Sequence, residues 1–145
     1  MSAGVIFRSP AFSLESPIEN GRQYDLPLGD DLAAEIAAGV GDRAPDVKVG
    51  EPIREDWGTV LDLRPPGERY RLDFNWLGYQ GVEDTWGIRI TNDTPVGCLG
   101  ILVGQARPSL HEARVQTVVA SILASQPAKF IGPAWFSREE YDRRL

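Results

Sequence analysis

The sequence holds one cysteine, one histidine and one methionine in 145 residues, and only two of its fifteen basic side chains, Lys48 and Lys129, are lysines. Cys98 alone cannot form an internal disulfide, which suits a reducing compartment. A structural zinc site takes about four Cys or His ligands, and a catalytic one usually takes at least two histidines with an acid. Cys98 and His111 supply neither. The adjacent acids Asp30-Asp31 and Glu83-Asp84 lack the spacing of a calcium loop, so no metal and no cofactor are expected. There is no Gly-x-x-x-x-Gly-Lys-[Ser/Thr] loop and no Gly-x-Gly-x-x-Gly fingerprint. Gly97, Gly100 and Gly104 read instead as close strand packing or bulges. Long hydrophobic runs are missing too. The apolar stretches 99–103 and 118–123 fall far short of the roughly 20 residues a membrane helix needs. Residues 1–8 show no charged segment followed by a sustained apolar run, so they do not read as a signal peptide. The expectation is a soluble cytoplasmic protein with no membrane partner.

What is present is an ordinary globular composition, 42% hydrophobic and 25% charged, in a length that fits one domain over 1–145. The net charge of -6 argues against a nucleic-acid partner, because phosphate binding needs clustered Lys and Arg. The charge is uneven. Residues 1–62 carry 12 acidic and 5 basic side chains, whereas residues 63–145 carry 9 and 10. Such asymmetry can steer a basic partner.

The periodicity predicts an α+β fold. Residues 4–8 are β-branched and aromatic and predict a first strand. Residues 9–29 predict a loop with a turn at Asn20-Gly21. Residues 30–38 predict a helix opened by an aspartate cap, with Leu32, Ile36 and Val40 on one face. Residues 41–56 predict an acidic loop. The period then changes to two through 57–63, 70–76 and 86–90, and a continuous apolar run at 98–103 predicts a fourth meander strand. A capping box at Ser109–Glu112 predicts a helix to about residue 125. A short extended segment at 131–136 and a capped tail helix from Ser137 follow. The fold expected is an antiparallel sheet of four to five strands, with two main helices packed on one face and a short C-terminal helix.

The alternation leaves Asp62, Arg71, Asp73, Asn75, Arg89 and Thr91 on the opposite, partly wet face. Asp62 and Asp73 could form a carboxylate pair, but Arg71 and Arg89 share that face and pair with acids across strands. A Cys98–His111 dyad would need the helix start to fold over the strand end. A buried inert thiol is the ordinary fate of a cysteine in an apolar strand. Trp76, Trp86, Trp135, Tyr70, Phe74 and Phe136 fall in phase with aliphatic residues and predict core. Trp57 differs: it follows Glu55-Asp56 and precedes Gly58 at the mouth of a strand. A Trp beside acids is a frequent interface anchor.

The segments Ser16-Pro17-Ile18-Glu19-Asn20-Gly21, Glu55-Asp56-Trp57-Gly58 and Thr85-Trp86-Gly87, set in this order of elements, resemble small acidic bacterial immunity proteins of polymorphic toxin systems. The resemblance implies a non-catalytic protein that binds and occludes a cognate toxin or effector domain with a basic surface. Its contact would lie in the acidic loop 42–56 with Trp57 and in the Glu83-Asp84 turn: Asp42, Asp46, Glu51, Glu55, Asp56, Trp57, Glu83 and Asp84. Two other readings stand beside it. One is an acidic secretion chaperone for an effector. The other is a small enzyme or ligand-binding domain using the polar face of the sheet.

Overall fold

Alternating residues point to opposite faces of a strand, so one apolar face per strand must find a cover. The computed structural model describes residues 3–145, apart from the side chains of Gln80 and Ile101. In chain order the elements are β1 (Gly4–Arg8), the hairpin β2 (Ile18–Glu19) and β3 (Arg22–Gln23), α1 (Asp30–Arg43), β4 (Lys48–Val49), β5 (Ile53–Glu55), β6 (Gly58–Arg64), β7 (Tyr70–Trp76) and β8 (Thr85–Asn92). There follow α2 (Cys98–Leu102), α3 (Glu112–Ser125), β9 (Ile131–Phe136) and α4 (Arg138–Asp142).

The main sheet has seven strands, ordered β4-β6-β7-β8-β1-β9, with β5 also pairing with β6. Every pairing is antiparallel. The α+β class is therefore as expected, with more strands. Leu61, Leu72, Phe74, Ile88, Val5 and Trp86 fill the inner face and are fully buried. Leu32, Ile36 and Val40 of α1 and Val115, Val119 and Ile122 of α3 cover them in one contiguous core. Each fully buried side chain of this size contributes about 1.5–3 kcal/mol. The loop after β1 is not idle: Phe12 stacks on Phe130, with ring centroids 5.9 Å apart, and closes the core's edge.

Several expectations give way. The apolar run 98–103 is not a fourth meander strand but the short helix α2. The physical reason lies in the pairing of β8, whose two sides are already taken by β7 and β1. With no edge free, Leu99, Leu102 and Val103 face solvent. Cys98 is accordingly exposed, not buried. The extended segment 131–136 takes the vacant place as β9, on the far side of β1. Residues 41–56, expected as loop, contribute β4 and β5. Trp57 lies in the turn between β5 and β6, outside the strand it was expected to open.

Helix capping differs as well. Gly29, with φ 72°, takes the position before α1, and no side chain caps that helix. Asp31, within the first turn, accepts from the Leu32 N–H through Oδ1 at 2.9 Å and from the Ser13 N–H through Oδ2 at 2.8 Å. The expected Ser109–Glu112 box does not form either, since no side chain at the start of α3 caps it. Glu68, from the β6–β7 turn, does that work. Its carboxylate accepts from the backbone N–H of Leu110 (2.9 Å) and His111 (3.0 Å), and from the Tyr70 hydroxyl (2.5 Å). A cap 42 residues away is invisible to local pattern reading. The Ser137 cap does form, accepting from Glu140 N–H at 3.3 Å. Asn20 and Gly21 both take positive φ, as the hairpin turn between β2 and β3 requires.

Burial pushes the Glu68 carboxyl up. The hydrogen bonds from Tyr70, His111 and Leu110 outweigh it and hold the group below its ordinary value of 4.5. A carboxyl lowered in the folded state contributes stability that is full above 4.5 and is lost as pH falls through the depressed value. Glu68→Ala leaves three donors unpaired and is expected to cost about 2–3 kcal/mol at pH 7. Urea unfolding is expected to show the gap between mutant and wild type shrinking as pH falls below 4.5.

Candidate functional site

An antiparallel meander sends successive turns to alternate ends of the sheet. Glu55 pairs with Gly58 beside the β5–β6 turn, and Leu77 N–H donates to Thr85 O at the base of the β7–β8 connection. Both connections lie at one end. Lys48 pairs with Arg64 at the other end, six residues along β6 from Gly58 and so about 20 Å away.

At the first end the chain builds an aromatic groove of about 480 Å³. Trp57 of the β5–β6 turn, Trp76 at the end of β7 and Tyr79 of the β7–β8 connection line it with Leu26, Leu77 and Leu145, and Asn75 and Arg89 complete the lining. Trp57 is 41% exposed and Tyr79 58%. Trp76 is pinned by its indole N–H, which donates to the Glu83 carbonyl at 2.6 Å. Its ring centre lies 6.1 Å from that of Tyr79. Next to Trp57, Asp56 lines a second hollow of about 370 Å³ with Glu19, Tyr24 and Asp25 of the β2–β3 hairpin. The Asp56-Trp57 dipeptide is thus a ridge between the two. The Tyr24 hydroxyl donates to Glu19 at 2.6 Å, and that bond holds the phenol above its usual pKa.

Ion pairing sorts the acids. Asp30 is held by Arg54 at 2.9 Å, Asp84 by Arg8 at 2.9 Å, and Glu35 by Lys129. Among the described residues no ion pair holds Glu19, Asp25, Glu55, Asp56 or Glu83. Arg22, which lines the same hollow as Glu19, Asp25 and Asp56, offsets one of these five charges and leaves the aromatic end net negative. Of the eight residues singled out from sequence, Glu55, Asp56, Trp57, Glu83 and Asp84 come together there. Glu51 lies between β4 and β5. Asp42, in the last turn of α1, and Asp46, just before β4, sit at the opposite end. Asp46 is bound by both terminal nitrogens of Arg114, one at 2.7 Å, and this pairing lowers its carboxyl to about 2. It fastens the α1–β4 loop to α3. Glu19, Asp25, Trp76 and Tyr79 were not singled out. The Asn20-Gly21 turn flanked by acids, and a tyrosine between Gly78 and Gly81 outside any strand pattern, were their sequence signals.

The outer face of the sheet, expected to be partly wet, is largely committed to structure. Asp73 is 1% exposed and sits between two guanidinium groups. Arg89 Nη2 donates to it at 2.8 Å, and Arg71 Nε lies 2.9 Å from its other oxygen. Arg71 Nη2 adds a hydrogen bond at 3.2 Å. Arg89 also donates to Asp142 of α4 at 2.9 Å. The neighbouring Tyr141 is fully buried, lies over Gly4 and Gly87, and donates its hydroxyl to Asn75 at 3.0 Å. A Cβ at either glycine would overlap the Tyr141 ring. Asp62 pairs with Arg69 at 3.1 Å, not with the cross-strand Arg71. The oxygens of Asp73 are turned to arginines and not to the groove, an arrangement that holds α4 down.

Among the described residues, no group of three or more His, Cys, Asp or Glu side chains is placed to hold a metal ion, and no helix is long and apolar enough to cross a membrane. Comparison with protein-family models, with curated proteins and with solved structures finds no match in any of the three.

Removing one partner of a buried ion pair strands the other charge, at a cost of several kcal/mol, whereas exposed substitutions stay near ±0.5 kcal/mol. Asp73→Ala is expected to lose about 3 kcal/mol in urea unfolding, and Trp57→Ala and Asp56→Asn less than about 0.5 kcal/mol. In the same assay Gly87→Ala is expected to lose about 1–3 kcal/mol against Tyr141. Gly41→Ala, which meets nothing within 4 Å on α1, is expected to gain about 0.5–1 kcal/mol.

Proposed function

We propose that the protein is a non-catalytic inhibitor of the immunity type, which binds a basic toxin or effector domain and occludes it. The observation that supports this reading best is the convergence of acids without ion pairs, Glu19, Asp25, Glu55, Asp56 and Glu83, around exposed aromatic side chains at one end of the sheet. Interfaces with this division of labour use charge to speed and orient the encounter, and buried aromatics to hold the complex. The rigid sheet behind the turns presents that surface without prior ordering, which lowers the entropic cost of association. The paired carboxylates of the outer face serve structure in this reading, and the end of the molecule carrying Asp42 and Asp46 takes no part in the contact.

The test is protection. Cells expressing the toxin encoded beside this gene are expected to grow when the wild-type protein is present. The triple variant Glu55→Lys, Asp56→Lys, Glu83→Lys is expected to lose protection and to weaken binding on the order of 100-fold, chiefly through the association rate and most strongly at low salt. Asp42→Lys is expected to protect like the wild type. Full protection by a folded triple variant would overturn the reading.

A further inference from the structure

The aromatic groove has a composition that selects one kind of side chain. We infer that it receives the guanidinium group of a single arginine presented by the partner. This rests on the reading of the molecule as a protein-binding inhibitor and names the chemistry of its central contact.

Three features carry the inference. The groove offers two indoles and a phenol, and indole faces are the best cation–π acceptors among side chains. Trp76 is fixed by its bond to the Glu83 carbonyl, so its ring is presented in one orientation. The apolar remainder, Leu26, Leu77 and Leu145, suits the methylene stem behind the charged head.

Charge complementarity points the same way. Asp56 adjoins Trp57 in the chain, and Glu83 holds Trp76 through its backbone. Neither carboxylate has an ion-pair partner among the described residues. The one cation in the lining, Arg89, is engaged by Asp73 and Asp142 and does not meet an incoming charge bare. The chain already uses the same pairing internally. Arg144 lies 4.1 Å from the centre of the Phe136 ring, and the Lys129 ammonium 5.6 Å from that of Phe12. Arginine is preferred over lysine because its planar, weakly hydrated guanidinium stacks on rings while still donating to carboxylates.

The experiment follows the four indole N–H resonances of the 15N-labelled protein at fixed ionic strength. The probes are N-acetyl-arginine amide, N-acetyl-lysine amide and N-acetyl-norleucine amide. The arginine probe is expected to move the Trp57 and Trp76 signals with half-saturation on the order of tens of millimolar, leaving buried Trp86 still. The lysine probe is expected to bind at least about threefold more weakly, and norleucine to do nothing. Trp57→Leu should abolish the response, and Glu55→Gln with Asp56→Asn should weaken it. The inference is overturned if norleucine moves both signals as strongly as arginine, or if nothing moves by about 200 mM probe. Protection is scored separately. A silent groove in a protein that still protects by its charges sinks this inference alone. A responsive groove in a protein that protects against nothing sinks the inhibitor reading and leaves the arginine site standing.

Discussion

The register of the β6–β7–β8–β1 meander decides what each face of the sheet carries. Leu61 opposite Leu72, Leu72 opposite Ile90, Phe74 opposite Ile88 and Ile88 opposite Val5 put the apolar side chains on one face. The same register sets Asp73 opposite Arg89 and Ile6 opposite Gly87 on the other. Because the side-chain period is two, a slip of one residue would send the core to solvent and the ion pairs inward. The two faces therefore enforce one alignment from opposite sides. The apolar face supplies most of the free energy. The charged face adds specificity, since Asp73 and its arginines have few other arrangements in which all three are paired.

That alignment also places α4. Gly4 and Gly87, on the neighbouring strands β1 and β8, leave a patch without side chains that Tyr141 covers, and Arg89, opposite Gly4, reaches to Asp142. Burial raises the Tyr141 phenol well above its ordinary range, so the hydroxyl keeps its proton and its bond to Asn75 at physiological pH. The helix is short, and its position comes from this seat and the Ser137 cap, not from propensity. Leu145, just beyond it, reaches the aromatic groove. The packing of the tail and the shape of the groove are consequently linked through one buried ring.

Much of this was legible in the sequence, and the failures have definite causes. The strict alternation of residues 70–76, the helical stripe of residues 32, 36 and 40, the Asn20-Gly21 turn and the Ser137 cap are local signals, and each appears where it was expected. Residues 98–103 failed because an apolar run says nothing about whether a sheet edge is free, and the N-terminal strand had claimed the place beside β8. The α3 cap failed because Glu68 comes from a turn 42 residues away. The acids of residues 42–56 form a continuous stretch in sequence, but a strand of roughly 20 Å divides them in space. Trp57 was singled out because it follows Glu55-Asp56 and precedes Gly58, although it was expected to open a strand and lies in the turn before it. Trp76 and Tyr79 were not, because Trp76 continues an inward-facing alternation and packs against the core while also lining the groove, and Tyr79 lies outside any strand pattern.

The separation of the two ends has a further meaning. At one end Glu68, Tyr70 and the start of α3 interlock across distant parts of the chain, so a change at any of them disturbs the others. At the other end the exposed side chains sit on turns whose backbone bonds are made locally or to neighbouring strands. The exposed carboxylates on those turns, Glu55, Asp56 and Glu83, have no ion-pair partner among the described residues, so exchanging them leaves register, core and capping in place. The molecule thus keeps its structural commitments and its most tolerant surface at different ends of the sheet, so exposed residues at one end can be changed without loosening the interlock at the other.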